Sequence, residues 1–524
     1  MKKIFYIAIF VLLTFVMISC KDDHKFSVNI NSVSGLRNAV VVNYTIVDPD
    51  GELKNSNIRA EIKKTGSETV FSSREVTYNA AKLTDEIKFL GLESGVSYTF
   101  TFLAGVDGKQ VTLVTQQVTT SVEGNTVESP YLIDSVEDFT TIMKNDLDGH
   151  YKLTADINFA GTSISPLFTN TTQFNGTFDG NGHTISNFKV GSAEELSLIS
   201  NKYYGLFGYI GSKGVIKNVK LDSFVLYTKR TSTTTFVGLI AGYNAGTISD
   251  ITVTNSSIHV EIENSSSPND TDSSGNLTGY YVAGLVGQNK NGATINNCSV
   301  DLDITVKARR GAVVGGICAV NADNANVNKE NEIKNCKFSG SIDVAVANTS
   351  STSYETTTSV GGIIGKNYYT VSNCEVTGSI KLTSEFKTPS KTKYRLFCGG
   401  LVGWNATDAS VVKDSKVTAN LVVGSKDALE VVVGLLVGHN GGTSNKNYSE
   451  VLNCTYTLPQ EGSVEVTVYE ERGNIGLIGL DKNPAEGNSS TSEFDIKVNY
   501  YHTTKDAEDK DVVTLKETSY ISIK

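Results

Sequence analysis

Short segments in which apolar and polar residues alternate run through most of the chain, and this period of two is typical of strands that bury one face. Between residues 26 and 120, segments such as 40–47 and 98–103 are separated by turn signals such as Asp48-Pro49-Asp50-Gly51. About seven strands in about 95 residues are typical of a β-sandwich. The polar residues 121–128 predict a linker after it.

A second pattern returns eight times in the rest of the chain. Each copy has a Gly, two or three apolar residues and a closing small residue, and the copies are spaced 32 to 46 residues apart, as in solenoids. The copies begin at Gly205, Gly238, Gly284, Gly316, Gly362, Gly400, Gly434 and Gly476. An Asn follows the closing residue by two positions in six copies, at Asn244, Asn289, Asn321, Asn367, Asn405 and Asn440.

The second half of each repeat begins at a position that holds Cys298, Cys336, Cys374 and Cys454 in four copies and Val219, Ile251 and Ser415 in others. Apolar residues then alternate, as in a strand. Such a unit cannot bury its apolar face alone, but copies stacked about 4.8 Å apart pair strand on strand. The pattern predicts an all-β chain: the N-terminal β-sandwich, then a right-handed parallel β-helix over residues 191–480. The Asn side chains are suited to hydrogen bonds from coil to coil.

One short helix is predicted between the two regions. Its apolar face is formed by Val136, Phe139, Ile142 and Met143, and Asp134 or Ser135 can cap its start. We expect the helix to cover the open end of the solenoid, within an entry and cap region at 129–190. Residues 481–524 are predicted to be a C-terminal β segment or cap.

The repeats resemble the GLUG family, which occurs in bacterial surface proteins and in the non-catalytic part of some IgA-cleaving metallopeptidases. Residues 131–188 resemble the region that often precedes such repeats, so the resemblance covers about residues 129–480. It implies a surface protein built on a solenoid. The run Leu92-Glu93-Ser94-Gly95-Val96-Ser97-Tyr98 is similar to a fibronectin type III corner, and an unrelated immunoglobulin-like sandwich is the alternative. We expect this domain to be a spacer; a ligand-binding sandwich is the other interpretation.

The N-terminus predicts export and a lipid anchor. Lys2 and Lys3 precede an apolar run at 4–16, as in a secretory signal. Met17-Ile18-Ser19-Cys20 resembles a bacterial lipobox, which implies a signal peptide at 1–19, lipidation of Cys20 and a tether at 20–25. Lys21-Asp22-Asp23 resembles the export signal of Bacteroidetes surface lipoproteins, which implies an outer-membrane, surface-exposed location. An uncleaved anchor helix is the alternative.

Composition narrows the function. The net charge of −10 argues against a nucleic-acid partner. The six His form no HExxH pair, and no nucleophile elbow or phosphate loop is present. Asp179-Gly180-Asn181-Gly182 indicates a turn rather than a calcium loop. Outward charges such as Glu375, Asp301 and Asp343 do not recur at one repeat position, so we expect no metal, no cofactor and no enzyme; a polysaccharide lyase or glycosidase is the alternative.

The cysteines after Cys20 are Cys298, Cys318, Cys336, Cys374, Cys398 and Cys454. An even number in an exported chain is compatible with disulfides. Four of them share a repeat position that Val and Ile also occupy, which favours free, buried thiols.

One repeat position offers a candidate site. Between the closing residue and the Asn lie Tyr209, Tyr243, Gln288, Lys366, Trp404 and His439. We expect these side chains to point outward and to form a stripe that binds a glycan or a host or bacterial surface protein. Ordinary surface residues beside a turn are the alternative. The function predicted is a non-enzymatic adhesion or binding lipoprotein, with a carbohydrate-active enzyme or a structural envelope protein as alternatives.

Overall fold

The computed structural model describes residues 25–198, 200–230, 234–263, 279–309, 311–321, 330–348, 356–386, 394–407, 410–426, 428, 430–441, 449–469, 473–481, 485–505 and 511–523. The predicted signal peptide and Cys20 lie outside the described residues. Strands make up 62% of the chain and helix 1%, which confirms the all-β prediction. The chain divides into two compact units between Ser121 and Val122.

The first unit has two antiparallel sheets that share one apolar core. The strands are β1 (Ser27–Gly35), β2 (Ala39–Val47), β3 (Ile58–Lys64), β4 (Ser72–Val76), β5 (Thr84–Leu90), β6 (Ser97–Val106) and β7 (Lys109–Thr119). One sheet has the order β1-β2-β5 and the other β4-β3-β6-β7. Alternate residues such as Val40, Val42, Phe100 and Phe102 are fully buried in the shared core, so the period of two in the sequence marks the inward faces.

The corner before β6 is pinned by a buried tyrosine. Tyr98 has no exposed surface, and its hydroxyl accepts a hydrogen bond from the backbone N–H of Glu93 at 3.0 Å. Leu92, at the other end of the corner, is 5% exposed. The Leu and Tyr of the corner motif therefore both pack inward, and a buried phenol has the partner that it needs.

The described part of the second unit has one short helix, α1 (Val136–Thr141), and the remaining strands. These strands are β8 (Tyr131–Ile133), β9 (His150–Leu153), β10 (Ile157–Asn158), β11 (Thr177–Asp179), β12 (Thr184–Ser186), β13 (Lys189–Val190), β14 (Ser197–Leu198), β15 (Tyr203–Tyr204), β16 (Gly208–Ile210), β17 (Val215–Asp222), β18 (Val225–Arg230), β19 (Thr234–Val237), β20 (Ala241–Asn244), β21 (Thr247–Ile262), β22 (Gly279–Ala283), β23 (Val286–Asn289), β24 (Thr294–Asn296), β25 (Ser299–Ala308), β26 (Val313–Gly315), β27 (Cys318–Asn321), β28 (Glu332–Lys334), β29 (Lys337–Asn348), β30 (Thr356–Gly361), β31 (Ile364–Asn367), β32 (Thr370–Ser372), β33 (Glu375–Phe386), β34 (Tyr394–Gly399), β35 (Val402–Asn405), β36 (Val411–Lys413), β37 (Lys416–Ser425), β38 (Glu430–Asn440), β39 (Glu450–Leu452), β40 (Thr455–Thr457), β41 (Val464–Tyr469), β42 (Gly473–Asp481), β43 (Ala485–Glu486), β44 (Ser489–Ser490), β45 (Phe494–Lys505) and β46 (Asp511–Ile523).

Equivalent strands of successive repeats pair in parallel and form five ladders. Ladder A runs β9-β11-β17-β21-β24-β28-β32-β36-β39-β43. Ladder B runs β10-β12-β17-β21-β25-β29-β33-β37-β40-β44. Ladder C runs β13-β18-β21-β25-β29-β33-β37-β41-β45, and β46 closes it antiparallel. Ladder D runs β15-β19-β22-β26-β30-β34-β38-β42. Ladder E runs β16-β20-β23-β27-β31-β35-β38-β42.

The Gly-Leu corner joins ladder D to ladder E and explains why the repeat needs glycine. A Cβ on Gly362 would lie 2.4 Å from the carbonyl oxygen of Gly400 in the next repeat. A Cβ on Gly365, the closing residue, would lie 2.6 Å from Val313 Cγ1 and 2.8 Å from the backbone N and O of Val314. Strands of ladder E therefore approach the backbone of ladder D so closely that only a very small residue fits at the contact.

The Asn of the repeat forms a buried column. Asn244, Asn289, Asn321, Asn367, Asn405 and Asn440 have no exposed surface. Each amide of the first five donates to the amide oxygen of the next at 2.8–3.0 Å. The same amides bond to the turn that follows, as Asn367 does with the carbonyl oxygen of Tyr369 at 2.6 Å. This confirms the predicted coil-to-coil bonding, and it satisfies polar groups that would otherwise be costly to bury.

A second column of Asn and Asp was not anticipated from the sequence. These residues precede the cysteine position and adopt the left-handed conformation, with φ between 51° and 56°: Asn218, Asp250, Asn297, Asn335, Asn373, Asp414 and Asn453. Asn and Asp enter this conformation more readily than other non-Gly residues. The corner between ladders A and B is therefore set by a backbone conformation that recurs in every repeat.

Helix α1 begins at Ser135, whose hydroxyl accepts a hydrogen bond from the backbone N–H of Asp138 at 3.1 Å. Phe139 is fully buried, and its ring centroid lies 5.7 Å from that of Phe178 and 6.4 Å from that of Phe207. The predicted apolar face thus packs on the core of the second unit. Within the described ranges no helix has the length and apolar character needed to cross a membrane.

We predict that Asn367→Leu destabilises the second unit by about 2–4 kcal/mol, because the change leaves the buried amides of Asn321 and Asn405 and the backbone of Tyr369 short of partners. Urea unfolding followed by circular dichroism would measure this loss. The matched control is Asn373→Gly, which alters an exposed left-handed residue and should change stability by less than about 1 kcal/mol. Equal losses in both variants would contradict the role of the buried column.

Candidate functional site

The six side chains of the predicted stripe lie on successive rungs of ladder E. The register places them, together with Val320, in one column in the order Tyr209, Tyr243, Gln288, Val320, Lys366, Trp404 and His439. Leu480 pairs with His439 beyond this set. The structure therefore brings all six together, and Val320 fills the gap that the sequence pattern left between Gln288 and Lys366. We call this column the stripe.

The stripe is less exposed than the sequence led us to expect. Tyr243, Gln288, Lys366 and His439 are only 4–7% exposed, and Tyr209 and Trp404 are half-buried. The expectation that the stripe points into solvent is wrong for the four buried residues. The physical reason is the close contact at the closing glycines, which turns the outer side of ladder E toward the outer side of ladder D.

Side chains from both ladders, and from the segments that follow ladder E strands, fill the crease between the ladders and form an apolar cluster separate from the main core. Its members are Phe236, Tyr281, Ala283, Val313, Ala319, Val320, Tyr368, Tyr369 and Ala406, with half-buried Tyr203 and Trp404 packed against them. The stripe thus lines a crease on the outside of the stacked rungs. The ladder D members, which precede the Gly-Leu corner, were not predicted as part of the site. Aromatic residues two positions before the first Gly, such as Tyr203 and Phe236, were the available signal.

The N-terminal part of the crease is aromatic. The rings of Tyr209 and Tyr243 stack with centroids 4.1 Å apart and an interplanar angle of 13°. Tyr203 meets both edge-on, at 5.2 and 5.4 Å, and Asn291 Nδ2 donates to the Tyr243 hydroxyl at 2.7 Å. Burial raises the pKa of Tyr209, so its hydroxyl stays protonated at neutral pH. Half-buried Tyr203 and Tyr209 are the rings that reach solvent here.

The C-terminal part combines rings with a cation. Lys366 Nζ lies 4.0 Å from the ring centroid of Trp404 and 5.3 Å from that of Tyr368. The ring of His439, on the next rung, stacks on that of Trp404 with centroids 5.6 Å apart and an interplanar angle of 13°. Trp404 Nε1 donates to the carbonyl oxygen of Gly441 at 3.2 Å. Burial lowers the pKa of Lys366 to about 7. Half-buried Trp404 thus presents a fixed ring beside a buried amine.

Charged side chains elsewhere pair from rung to rung. Lys337 Nζ lies 3.2 Å from Glu375 Oε1, and Lys381 Nζ lies 2.8 Å from Asp343 Oδ2, on adjacent strands of the outer surface.

An open depression on the corner of ladders A and B is lined by Asn181, Gly182, Asn218, Val219, Lys220, Asp250 and Thr252. With one carboxylate in its lining, it does not present the carboxyl pair that most glycosidases use. Over the described ranges, no cluster of three His, Cys, Asp or Glu is placed to hold a metal ion.

The prediction of free thiols is confirmed. Cys298, Cys318, Cys336, Cys374, Cys398 and Cys454 are all free and buried. Burial raises the pKa of Cys398 to about 12 and that of Cys454 to about 11. These thiols are protonated and shielded at neutral pH, as expected of packed core residues.

Residues 356–381 match the GLUG motif. This span runs from β30 through the Gly-Leu corner and the stripe residue Lys366 to the first half of β33, so it covers strands of ladders D, E, A and B in one turn of the stack. The family match therefore covers most of one structural repeat, and the chain is a repeat protein that carries the GLUG motif.

Two curated proteins share part of this sequence. Halomucin from Haloquadratum walsbyi is 33% identical over 143 residues, which cover 25% of this chain and 1% of halomucin. A putative Gly-rich membrane protein from Evansella cellulosilytica is 28% identical over 135 residues, which cover 24% of this chain and 15% of that protein. The chain thus spans only a small part of the length of these relatives.

We predict that Lys366 makes the stability of the second unit depend on pH. Its pKa is about 7 in the folded chain and near 10.4 when unfolded, so the unfolded state binds more protons between these values. Stability should therefore rise by about 2 kcal/mol from pH 7 to pH 9, and Lys366→Met should remove that rise. Urea titrations at several pH values would measure it.

The control for this experiment is Lys381→Met, which removes a lysine that is half exposed in an ion pair on ladder C. This variant should keep the pH dependence of the wild type. An unchanged slope in Lys366→Met would show that the amine is not the titrating group.

Proposed function

We propose that this chain is a surface- or membrane-associated repeat protein that binds a ligand without catalysing a reaction. The GLUG motif supports a repeat protein of this kind, and the two relatives are named halomucin and a putative Gly-rich membrane protein. The observation that carries the proposal is the stripe: seven rungs hold side chains in register along one crease, at a repeat position where the residue type changes from rung to rung.

The architecture that we infer is a β-sandwich followed by a right-handed parallel β-helix with α1 as its cap. Two antiparallel sheets around one core support the sandwich, and the five parallel ladders support the β-helix. The contacts of Phe139 with the first rungs support the cap. A cap of this kind protects backbone groups that would otherwise pair with another chain.

The attachment that we propose is a lipid on Cys20, which would hold the chain at the outer membrane with both units outside the cell. The support is the basic, apolar and lipobox-like order of residues 1–20. Lipid chains of this type bind a bilayer through about 0.8 kcal/mol per buried CH₂ group. In this arrangement the first unit acts as a spacer.

The ligand class that we favour is an extended glycan. Tyr203, Tyr209 and Trp404 reach solvent in part, and flat rings of this kind stack on the apolar faces of sugars. Gln288, at 4% exposure, places a polar side chain on the rung after Tyr243. Rungs that follow one another about 4.8 Å apart suit a polymer whose units also repeat. An extended peptide is the alternative occupant.

We predict that Cys20→Ala moves the protein from the membrane fraction to the soluble fraction, because the thiol is the atom that takes the lipid. Fractionation of cells that express each variant, followed by immunoblotting, would measure the distribution. Cys298→Ser is the control, since a buried internal thiol should leave the distribution unchanged. Retention of Cys20→Ala in the membrane would refute the lipid anchor and leave the binding proposal intact.

We also predict that the double variant Tyr209→Ala, Trp404→Ala binds glycans or mucin about 5- to 150-fold more weakly than the wild type, because each ring contributes about 0.5–1.5 kcal/mol to stacking. A glycan array and titration of the best ligand would measure this loss. The control is Tyr227→Ala, which removes a half-buried ring from the outer face of ladder C.

Circular dichroism and thermal unfolding must show that the double variant is folded. Equal binding by the double variant and the wild type would place the ligand site elsewhere. Absence of binding by every form would favour a purely structural envelope protein.

A further inference from the structure

Three thiols form a column just inside the corner of ladders A and B. Cys298, Cys336 and Cys374 occupy the same position in successive repeats and are only 1–2% exposed. The backbone N–H of Lys337 donates to the carbonyl oxygen of Cys298 at 2.8 Å, and that of Glu375 donates to the carbonyl oxygen of Cys336 at 2.9 Å. The cysteine backbones are therefore neighbours at the spacing of paired parallel strands, about 4.8 Å.

The thiols of this column stack on adjacent rungs. The thiol of Cys336 lies close enough to those of Cys298 and Cys374 for both to act on its pKa. It also donates to the carbonyl oxygen of Lys334 at 3.1 Å. A Cα separation of about 4.8 Å lies inside the range of about 4.4–6.8 Å that disulfides span.

The remaining thiols lack such neighbours. Ser415 lies between Cys374 and Cys454 in the column, so these two sulfur atoms are two rungs apart, about 10 Å. Cys318 in ladder E and Cys398 in ladder D each have apolar residues on both adjacent rungs. Among the six described cysteines, Cys336 alone therefore has a thiol on both adjacent rungs, while Cys298 and Cys374 each have one thiol neighbour, Cys336.

We propose that the Cys298–Cys336–Cys374 column is a site of reversible disulfide cross-linking, in which Cys336 bonds to Cys298 or to Cys374 when the chain meets a small-molecule disulfide such as oxidised glutathione. Two S–H bonds are lost and one S–S bond forms. The two protons go to solvent, and the two electrons reduce the external disulfide to two thiols through a mixed disulfide. Because Cys336 can make one such bond, the folded chain accepts one cross-link, which ties two adjacent coils together.

The reaction is slow in the native state. Contact with the Cys298 thiol and burial hold the pKa of Cys336 well above its usual range, so little thiolate is present at neutral pH. Oxidation also requires the corner to open, since the thiols have almost no exposed surface. The rate should therefore increase with pH and with denaturant concentrations below those that unfold the chain.

The test incubates the purified full chain with oxidised glutathione, blocks the remaining thiols and maps peptides without reduction. We expect a loss of two hydrogens per chain and cross-linked peptides that contain Cys336 with Cys298 or Cys374. Cys336→Ser should remove the cross-link. Ser fits this position because Ser415 occupies it two rungs away, where its hydroxyl donates to the carbonyl oxygen of Lys413 at 2.7 Å.

Two further variants distinguish cross-linking within the column from non-specific oxidation of the other cysteines. Cys298→Ser should leave only the Cys336–Cys374 cross-link, and Cys454→Ser should react as the wild type does. Cross-links through Cys318, Cys398 or Cys454 would overturn the proposal. So would a chain that keeps all these thiols until it is fully unfolded.

Discussion

Backbone hydrogen bonds between equivalent residues of successive coils are the constraint on which the second unit depends. They hold each residue about 4.8 Å from its counterpart, so every repeat position becomes a column of like side chains. Such a column is stable only if its side chains make favourable contacts with one another at that distance. Amides do, because Asn405 can donate to Asn440 while it accepts from Asn367. The requirement for self-compatibility explains why Asn recurs on six buried rungs.

The closing glycine of each repeat allows the crease to form on the outside of the stacked strands. Contact between Gly365 and the backbone of Val314 folds ladder E against ladder D, and the rings beside that contact are collected into a crease. A bulkier closing residue would separate the ladders and expose the stripe as scattered side chains. The same small residue thus determines both the packing of the repeat and the shape of the candidate site. The stability of the repeat and the shape of the candidate binding surface therefore both depend on the close contact between the closing glycine and the backbone of ladder D.

The sequence predicted much of this fold because the dominant interactions are local and repeated. Period-two alternation located the strands, and the Asn position predicted the hydrogen bonds that Asn289 and Asn321 make. Two features were missed for a shared reason. The left-handed corner at Asn373 and the burial of Lys366 depend on how one strand turns against a distant one, and alternation along a single strand carries no signal for that. The alternation of apolar and polar residues indicates which side chains share a face of a strand. It does not indicate which part of the chain packs against that face.

Variation within the chain argues for the role of the stripe. Positions that hold the stack together barely change from rung to rung, since Asn and small residues recur beside the corner. The stripe position, between them, holds Tyr, Gln, Val, Lys, Trp and His on neighbouring rungs. Its side chains occupy the crease without carrying the hydrogen bonds that set the register, so packing alone does not dictate their identity. The fold does not determine the residue type at this position, although it does form the crease around it. A solenoid can therefore gain a ligand site at such a position without a change in its backbone structure.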